Sequence, residues 1–222
     1  TASTTEPEGN HSVSSYNVES DGIATLAWDM PGRSMNVLNK DSMPAFAAAV
    51  DKALADPKVK GVIVTSNKND FIAGADLEYL LEIKDVEKIM ALCGDLKATF
   101  KKMETGNKPF VAALNGTTLG GGYELALACH RRIAADNPKA QIGLPEVTIG
   151  LLPGGGGTQR LPRMIGIEAA LPLLLNGTRL NPKDALEKGL VDEVVPAADL
   201  QAVAKTWLMG GGAPNKAWWD KN

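Results

Sequence analysis

The chain has 222 residues, of which 44% are hydrophobic and 22% are charged, a composition that fits a globular protein and excludes a disordered or fibrous one. Its 23 Lys and Arg residues and 26 Asp and Glu residues give a net charge of −3 and are spread along the sequence, so no nucleic-acid partner is expected. No apolar run approaches the roughly 18 residues that a transmembrane helix needs.

The first half of the chain predicts strands that alternate with helices. Residues 1–15 lack the charged and then apolar segments of a secretory signal, and we expect a flexible leader there. Short β-prone runs on either side of Ser-Asp-Gly predict a hairpin, and apolar residues at helical spacing predict helices. The predicted strands are 13–18, 23–28, 61–65 and 109–114, and the predicted helices are 42–54, 77–83 and 86–103. This alternation indicates an α/β protein.

The second half continues the pattern around two glycine-rich segments. The predicted helices are 122–129, helices after the 150–157 loop that continue to residue 175, and then 182–188 and 200–208. The predicted strands are 132–135 and 191–195, and residues 150–157 are predicted to form a loop. Residues 210–222 differ because three glycines and a proline precede Trp218 and Trp219 without periodicity. We expect these tryptophans to pack on something outside this chain or to be displayed at its end.

The cysteines and histidines exclude several kinds of site. Cys93 and Cys129 lie in helix-like apolar stretches with no CxxC motif, which favours reduced core residues, a cytoplasmic location and no metal site. His11 and His130 accompany no Ser or Cys nucleophile in an activating motif, so a hydrolase triad is disfavoured.

The first candidate functional segment is FIAGAD, Phe71 to Asp76, directly after a predicted buried strand. Its glycine and alanines let a ligand approach the backbone, so that peptide N–H groups can point at a substrate oxygen. The competing interpretation is a strand-to-helix turn in which Asp76 caps the next helix.

The second segment is LNGTTLGGGYELALACH, Leu114 to His130, in which three glycines open a helix. Free N–H groups at a helix N-terminus attract negative charge, and Glu124 lies in the first turn beside them. The glycine spacing matches neither a dinucleotide fingerprint nor a phosphate loop. The competing interpretation is that Glu124 only complements the helix dipole.

The third segment is IGLPEVTIGLLPGGGGTQRL, Ile142 to Leu161. Glu146 has apolar neighbours, which predict a raised pKa and a proton held near neutrality. The glycines 154–157 leave room for a small nucleophile such as water. Arg160 and Arg163 are able to bind an anion, but the interpretation we prefer is that both are solvated surface charges.

Taken in this order, the three segments closely resemble the crotonase superfamily, and specifically enoyl-CoA hydratases. The resemblance extends from Tyr16 to Leu208, and ACHRRIAAD and GLLPGGGG are most similar to the N-terminal hydratase/isomerase part of multifunctional fatty-acid β-oxidation α subunits. It implies a crotonase-like spiral of repeated β-β-α units with a helical C-terminal part. It also implies a hydratase domain over 16–209, followed from 210–222 by a linker or the start of an NAD-dependent dehydrogenase region.

The resemblance also implies roles for particular residues. The oxyanion hole is expected at the N–H groups of Ala75 and Gly121, the catalytic carboxyls at Glu124 and Glu146, and the water-holding backbone position at Gly154. The residues expected to line the CoA moiety are Arg33, Ser34, Met35, Val37, Ala73, Asp76 and Leu77. We expect Glu124 to be ionised and Glu146 protonated. CoA is carried on the substrate, so the domain itself needs no cofactor; a thiolase subunit or self-association is the expected partner.

The leading hypothesis is therefore hydration of trans-2-enoyl-CoA to 3-hydroxyacyl-CoA in fatty-acid β-oxidation, with Δ3-Δ2-enoyl-CoA isomerisation as a second implied activity. Relatives that only isomerise usually keep one of the two acids. Two alternatives stay open at this point: a non-catalytic acyl-CoA-binding or assembly module, and a thioester hydrolase or dehalogenase on the same scaffold.

Overall fold

A computed structural model describes residues 14–211 of the chain. Most of the predicted leader, the end of the predicted linker, and Trp218 and Trp219 lie outside these residues. Within them, Ser14 and Ser15 already belong to the first strand, so the predicted leader extends two residues too far.

The main sheet of the described chain has six strands, which lie side by side in the order β1 Ser14–Val18, β2 Ile23–Trp28, β3 Gly61–Ser66, β4 Phe110–Leu114, β6 Arg131–Ala135 and β9 Glu193–Val195. The first pair is an antiparallel hairpin and every later pair is parallel. All of the predicted strands are confirmed to within a few residues.

The central strands are apolar along their whole length because both faces of the sheet are covered. In β4, Phe110, Ala112 and Leu114 belong to the larger core, on one face. Val111 and Ala113 belong to a smaller core on the other face. A strand buried on both faces has a continuous apolar run instead of an alternating one, which is the pattern of the sequence here.

The helices pack on these two faces. They are α1 Ser42–Ala55, α2 Leu77–Glu82, α3 Val86–Thr105, α4 Gly121–Ala128, α5 Gly157–Ile165, α6 Ile167–Asn176, α7 Pro182–Glu187 and α8 Leu200–Met209. Asp76 and Asp85 accept backbone N–H bonds as the N-caps of α2 and α3. Between residues 14 and 211, no helix combines the length and apolar character needed to cross a membrane.

A second, three-stranded sheet, which we did not predict, brings the functional segments together. Its strands are β5 Thr118–Leu119, β7 Ile142–Gly143 and β8 Arg179–Leu180. Single bridges also join Ile72 to Thr118 and Leu38 to Ala75, so the 71–76 loop runs beside β5. Strands of two residues leave no periodic signal in a sequence, which explains why the prediction omitted this sheet.

All eight residues of the helix α4 are buried. The hydroxyl of Tyr123 donates to the carbonyl of Leu190 at 2.8 Å, which satisfies the polar end of a fully buried ring. A Cβ added at Gly122 would lie 2.4 Å from the carbonyl oxygen of Ile72. Glycine is therefore required where α4 crosses the 71–76 loop.

We expect Gly122→Ala to lower the free energy of unfolding by about 1–3 kcal/mol, because backbone atoms of Ile72 cannot move aside as a flexible side chain would. The matched control is Gly94→Ala in α3, where an added Cβ meets nothing within 4 Å. This control should raise the unfolding free energy by about 0.5–1 kcal/mol through helix propensity. Urea denaturation of both variants measures the difference, and equal effects of the two substitutions would contradict the packing described here.

Candidate active site

In the 71–76 loop, the backbone N–H of Ala75 points away from the residue that pairs with this loop, Leu38. Leu38 donates to the carbonyl of Gly74 and accepts from the amide of Asp76, each at 2.9 Å. This bridge turns the N–H of Ala75 to the side opposite Leu38. Among residues 14–211 no acceptor pairs with that N–H.

The start of α4 presents a second amide beside the first. Gly120 has a φ of 53° and donates to the carbonyl of Gly143 at 3.0 Å, which fixes the turn into the helix. The next residue, Gly121, opens α4, and its N–H has no acceptor in the described chain. A Cβ on Gly120 would be 3.6 Å from the Cα of Gly74. The two segments that carry the Ala75 and Gly121 amides are thus in contact.

Glu124 is buried and held at both carboxylate oxygens by backbone amides. Its Oε2 accepts from the N–H of Gly155 at 2.9 Å and its Oε1 accepts from the N–H of Gly157 at 2.7 Å. The residue is 2% exposed. The first turn of α4 and the glycine loop before α5 therefore meet at this carboxyl group. The interpretation that Glu124 only complements the helix dipole does not account for these two bonds.

Glu146 differs because no group of the described chain donates to it. Both of its carboxylate oxygens are buried, and neither has a hydrogen-bond partner among those residues. It begins a single 3-10 turn, Glu146–Ile149, which is separated from the end of β7 by two residues. A Cβ on Gly120 would lie 3.2 Å from its Oε1, so the carboxyl group lies against the turn that leads to the Gly121 amide.

The two carboxyl groups have raised pKa values for related reasons. Burial raises the pKa of Glu146 to about 7, and the neighbouring negative charge of Glu124 adds to the rise. Burial also raises the pKa of Glu124, but the N–H bonds from Gly157 and Gly155 and the positive charge of Arg160 oppose that rise. The two carboxyl groups therefore differ in their surroundings: groups that favour the ionised form act on Glu124, whereas the charge of its neighbour favours the protonated form of Glu146.

Gly154 lies on the same glycine loop, and a Cβ there would be 3.2 Å from the sulfur of Cys93. Cys93 is half-buried on this wall of the site, whereas Cys129 is fully buried, so the prediction of two core cysteines fits Cys129 better. His130 lies outside the site: its Nδ1 accepts from the amide of Phe110 at 3.0 Å.

The residues predicted to line CoA lie on two adjacent segments, one of which is anchored by Asn36. Arg33 is half-exposed, and its guanidinium pairs with the buried carboxylate of Asp76 at 2.8 Å. Asp76 also caps α2, as the competing interpretation predicted. Ser34, Met35 and Leu77 are exposed, whereas Val37 and Ala73 are partly buried.

Sequence reasoning missed Asn36, a fully buried side chain that fixes these segments to each other. Its Nδ2 donates to Ser66 Oγ at 2.8 Å and to the carbonyl of Phe71 at 3.0 Å. The backbone carbonyl of the same residue accepts from the amide of Ala73 at 2.9 Å. A buried asparagine is not distinguishable from an exposed one by sequence pattern alone.

The interpretation of Arg160 as a surface charge is wrong. Arg160 is 8% exposed and forms a buried ion pair with Glu104 of α3. Arg163 is exposed, in agreement with its predicted surface position. The fold turns one arginine of the same helix inward and the next outward, which a three-residue spacing allows but does not reveal.

A cavity of about 390 Å³ opens between α1, α2 and α3. Leu38, Tyr79, Leu92, Leu96 and Met43 contribute to its largely apolar wall. Leu38 also reaches the start of α4, since a Cβ on Gly121 would lie 2.5 Å from its Cδ1. The cavity therefore borders the segment that carries the Gly121 amide.

Comparison with known proteins gives a consistent result. The family model described as enoyl-CoA hydratase/isomerase matches residues 19–209. The chain is 45% identical over 197 residues to the fatty acid oxidation complex subunit alpha of Shewanella halifaxensis, covering 88% of this chain and 28% of that protein. It is 47% identical over 185 residues to the subunit of the same name from Shewanella frigidimarina, covering 83% and 26%. The chain thus spans little more than a quarter of the length of these relatives.

Solved structures agree with this comparison. The enoyl-CoA hydratase of Geobacillus kaustophilus HTA426 is 35% identical, with a TM-score of 0.85 over 92% of this chain and 76% of that one. The enoyl-CoA hydratase of Bacillus anthracis is 33% identical, with a TM-score of 0.82 over 89% and 76%. The predicted crotonase-like α/β fold is confirmed.

The raised pKa of Glu146 predicts a dependence of stability on pH. In the unfolded chain the carboxyl group loses its proton near its usual pKa of 4.5, whereas in the folded chain it keeps the proton until about 7. Folding therefore becomes less favourable across this range, and the full penalty applies above it. Glu146→Gln removes the penalty, so the variant should gain about 2–3 kcal/mol on wild type between pH 4.5 and pH 8.

Urea denaturation of Glu146→Gln and wild type at the two pH values measures this gain. Glu168→Gln, which removes an exposed carboxyl group of α6, controls for the change in net charge. A difference between Glu146→Gln and wild type that stays constant with pH would contradict the raised pKa.

Proposed function

The chain belongs to the enoyl-CoA hydratase/isomerase family, and from this premise we propose that it adds water across the C2–C3 double bond of a trans-2-enoyl-CoA thioester to give the 3-hydroxyacyl-CoA. The observation that carries the proposal is the pair of neighbouring buried carboxyl groups in unlike surroundings. Glu124 is held by two amides and Glu146 by no group of the described chain.

The amides of Ala75 and Gly121 are proposed as the oxyanion hole. Addition at C3 moves the electrons of the double bond onto the thioester oxygen, where negative charge develops. Two fixed N–H donors at that oxygen stabilise the transition state, and one such donor is typically worth about 3–4 kcal/mol. The absence of an acceptor for either amide among residues 14–211 supports this role.

The two carboxyl groups divide the proton transfers between them. Ionised Glu124 takes a proton from water as the water oxygen bonds to C3, and protonated Glu146 gives a proton to C2. The reaction leaves Glu124 protonated and Glu146 ionised, and proton exchange with solvent restores the starting state. Opposite environments for two nearby carboxyl groups are the usual basis for such acid and base assignments.

The remaining parts of the substrate are assigned to the neighbouring surfaces. Gly154, on the loop that binds Glu124, is proposed as a backbone position that holds the reacting water. The CoA moiety would contact Arg33, Ser34, Met35, Val37, Ala73, Asp76 and Leu77, and the acyl chain would enter the cavity between α1, α2 and α3. The reaction moves only water and protons, so no redox cofactor takes part in it.

Isomerisation of a 3-enoyl-CoA to a 2-enoyl-CoA is proposed as a second activity of the same site. Double-bond migration removes a proton from C2 and adds a proton at C4. A carboxyl group that delivers a proton to C2 during hydration is placed, in its ionised form, to remove the C2 proton and then to return a proton at C4. The family description includes isomerases, which supports this extension.

The cellular context is also a proposal. The relatives named fatty acid oxidation complex subunit alpha are longer than this chain. We infer that the domain acts in fatty-acid β-oxidation within a multifunctional cytoplasmic protein. We further infer that a following dehydrogenase region uses NAD and that a thiolase subunit is the partner.

Loss of the conjugated enoyl-thioester absorbance of crotonoyl-CoA tests the reaction. Wild type should remove this absorbance, and Glu124→Gln and Glu146→Gln should each lower kcat by about 10²- to 10⁴-fold, since each removes one proton-transfer group. Glu187→Gln, at an exposed position of α7, is the matched control and should keep wild-type kcat.

Three results would contradict the proposal. Acyl-CoA binding by calorimetry without turnover would favour the binding-module alternative. Release of free CoA, detected with a thiol reagent, would favour the thioester hydrolase. Undiminished turnover in both glutamine variants would remove the catalytic roles of the two glutamates.

Replacing Arg33 should weaken substrate binding more than it slows the chemical step, because the side chain lies on the proposed CoA surface and its ionic partner is Asp76, not Glu124 or Glu146. Arg33→Gln should raise KM for crotonoyl-CoA up to about fivefold, the range expected for one exposed ionic contact, with a smaller change in kcat. Arg179→Gln removes an equal charge from the exposed position of β8 and is the control. A fall in kcat with constant KM would contradict the assignment.

A further inference from the structure

A buried ion pair connects two helices that border the site. Glu104 in the last turn of α3 is 1% exposed, and Arg160 of α5 is 8% exposed. The guanidinium binds both carboxylate oxygens, with Nη2 at 2.9 Å from Oε2 and Nε paired with Oε1. The proposed hydration uses neither side chain in a proton transfer or as a hydrogen-bond donor to the substrate.

The same guanidinium makes a third bond to the loop that binds Glu124. Its Nη1 donates to the carbonyl of Gly155 at 2.8 Å. The amide of Gly155 donates to Glu124 in turn, so Arg160 holds one face of the Gly155 residue while Glu124 occupies the other. A continuous set of contacts therefore joins Glu104, Arg160, Gly155 and Glu124.

Glycine allows the guanidinium to lie directly on this loop. Gly156 has a φ of 102° and a Cβ there would be 2.5 Å from Nη1 of Arg160. The ring of Phe100 lies 5.7 Å from the guanidinium carbon and also borders Gly155. The loop is enclosed between a charged side chain, an aromatic ring and the catalytic carboxyl group.

We propose that Arg160, oriented by Glu104, is a positioning residue for the proposed hydration: it holds the Gly155–Gly157 loop so that both amides bind Glu124 in its ionised form. This inference rests on the proposed function, because it assigns a purpose to the orientation of Glu124 as the base. Arg160 touches neither substrate nor water in this scheme and acts through the loop.

A purely stabilising role explains these contacts less well. Removing two charges from water is costly, and replacing a buried ion pair by apolar residues is often neutral or stabilising. The pair here additionally places a positive charge near Glu124, which lowers the pKa of that carboxyl group against the effect of burial. The ionisable groups that face Glu124 are Arg160 from α5 and Glu146 from the 3-10 turn.

The double variant Arg160→Met/Glu104→Met separates positioning from stability, because it leaves no unpaired buried charge. We expect a melting temperature near that of wild type, a fall in kcat of about 10²-fold from misplacement of the base, and little change in KM. The acid limb of the kcat–pH profile should move to higher pH, since Glu124 loses the charge that favours its ionised form.

Arg160→Lys supplies the second test, because it keeps the charge and loses the fork-shaped set of bonds. Its acid limb should stay close to that of wild type while kcat falls. Arg131→Met/Glu193→Met removes a different ion pair, between β6 and β9, and should keep wild-type kcat and pH profile.

The outcomes distinguish this inference from the proposed function. If wild type does not hydrate crotonoyl-CoA, the proposed function fails. The pKa of Glu124 then still reports whether Arg160 favours the ionised form of this carboxyl group. This pKa is measured by ¹³C NMR titration, with Glu124→Gln to assign the signal. If wild type hydrates the substrate and folded variants at Arg160 keep its kcat and pH profile, the positioning role is overturned. An unchanged Glu124 pKa in the double variant would also overturn it.

Discussion

The structure of the site depends on the hydrogen bonds that two loop amides donate to the buried carboxylate of Glu124. An ionised carboxyl group removed from water is costly unless hydrogen bonds replace its hydration. These bonds need a backbone without side chains, since a Cβ on Gly155 or Gly157 would lie 2.9 Å or 3.1 Å from the carboxylate oxygens. The burial of Glu124 therefore depends on the glycine run, although more than thirty residues separate them in the sequence.

The raised pKa of Glu146 reflects its burial without the hydrogen bonds that Glu124 accepts. It lies in the same buried region, has no donor among the described residues, and is affected by the charge of its neighbour. The two amides and the positive charge of Arg160 favour the ionised form of Glu124, whereas burial and the charge of Glu124 favour the protonated form of Glu146. The small sheet of β5, β7 and β8 maintains this relation because it fixes the approach of Gly120 to the carboxyl group of Glu146.

Several parts of this arrangement were predictable from the sequence. The apolar runs and helical spacings located the strands and most helices, since strands buried on both faces and amphipathic helices have distinct periodicities. The three glycine-containing segments indicated Glu124 and Glu146 as candidates, and the resemblance to a known family supplied the expectation that they meet.

Other parts were not predictable because they depend on long-range contacts. Two-residue strands have too little sequence to show a period, so the second sheet was missed. The burial of Arg160 depends on Glu104, 56 positions away, and nothing local to either residue indicates the pair. Asn36 was missed for the same reason, as its partners Ser66 and Phe71 come from a distant segment. The double role of Asp76, as helix cap and partner of Arg33, also emerges only in three dimensions.

The most direct test of the account is a crystal structure of the chain with butanoyl-CoA, a saturated analogue that has no double bond to hydrate. We predict that the thioester oxygen lies about 2.7–3.1 Å from the amide nitrogens of both Ala75 and Gly121. We also predict that C2 and C3 of the acyl group lie between the carboxyl groups of Glu124 and Glu146. A thioester bound away from these amides, or either carboxyl group turned out into solvent in the complex, would contradict the account.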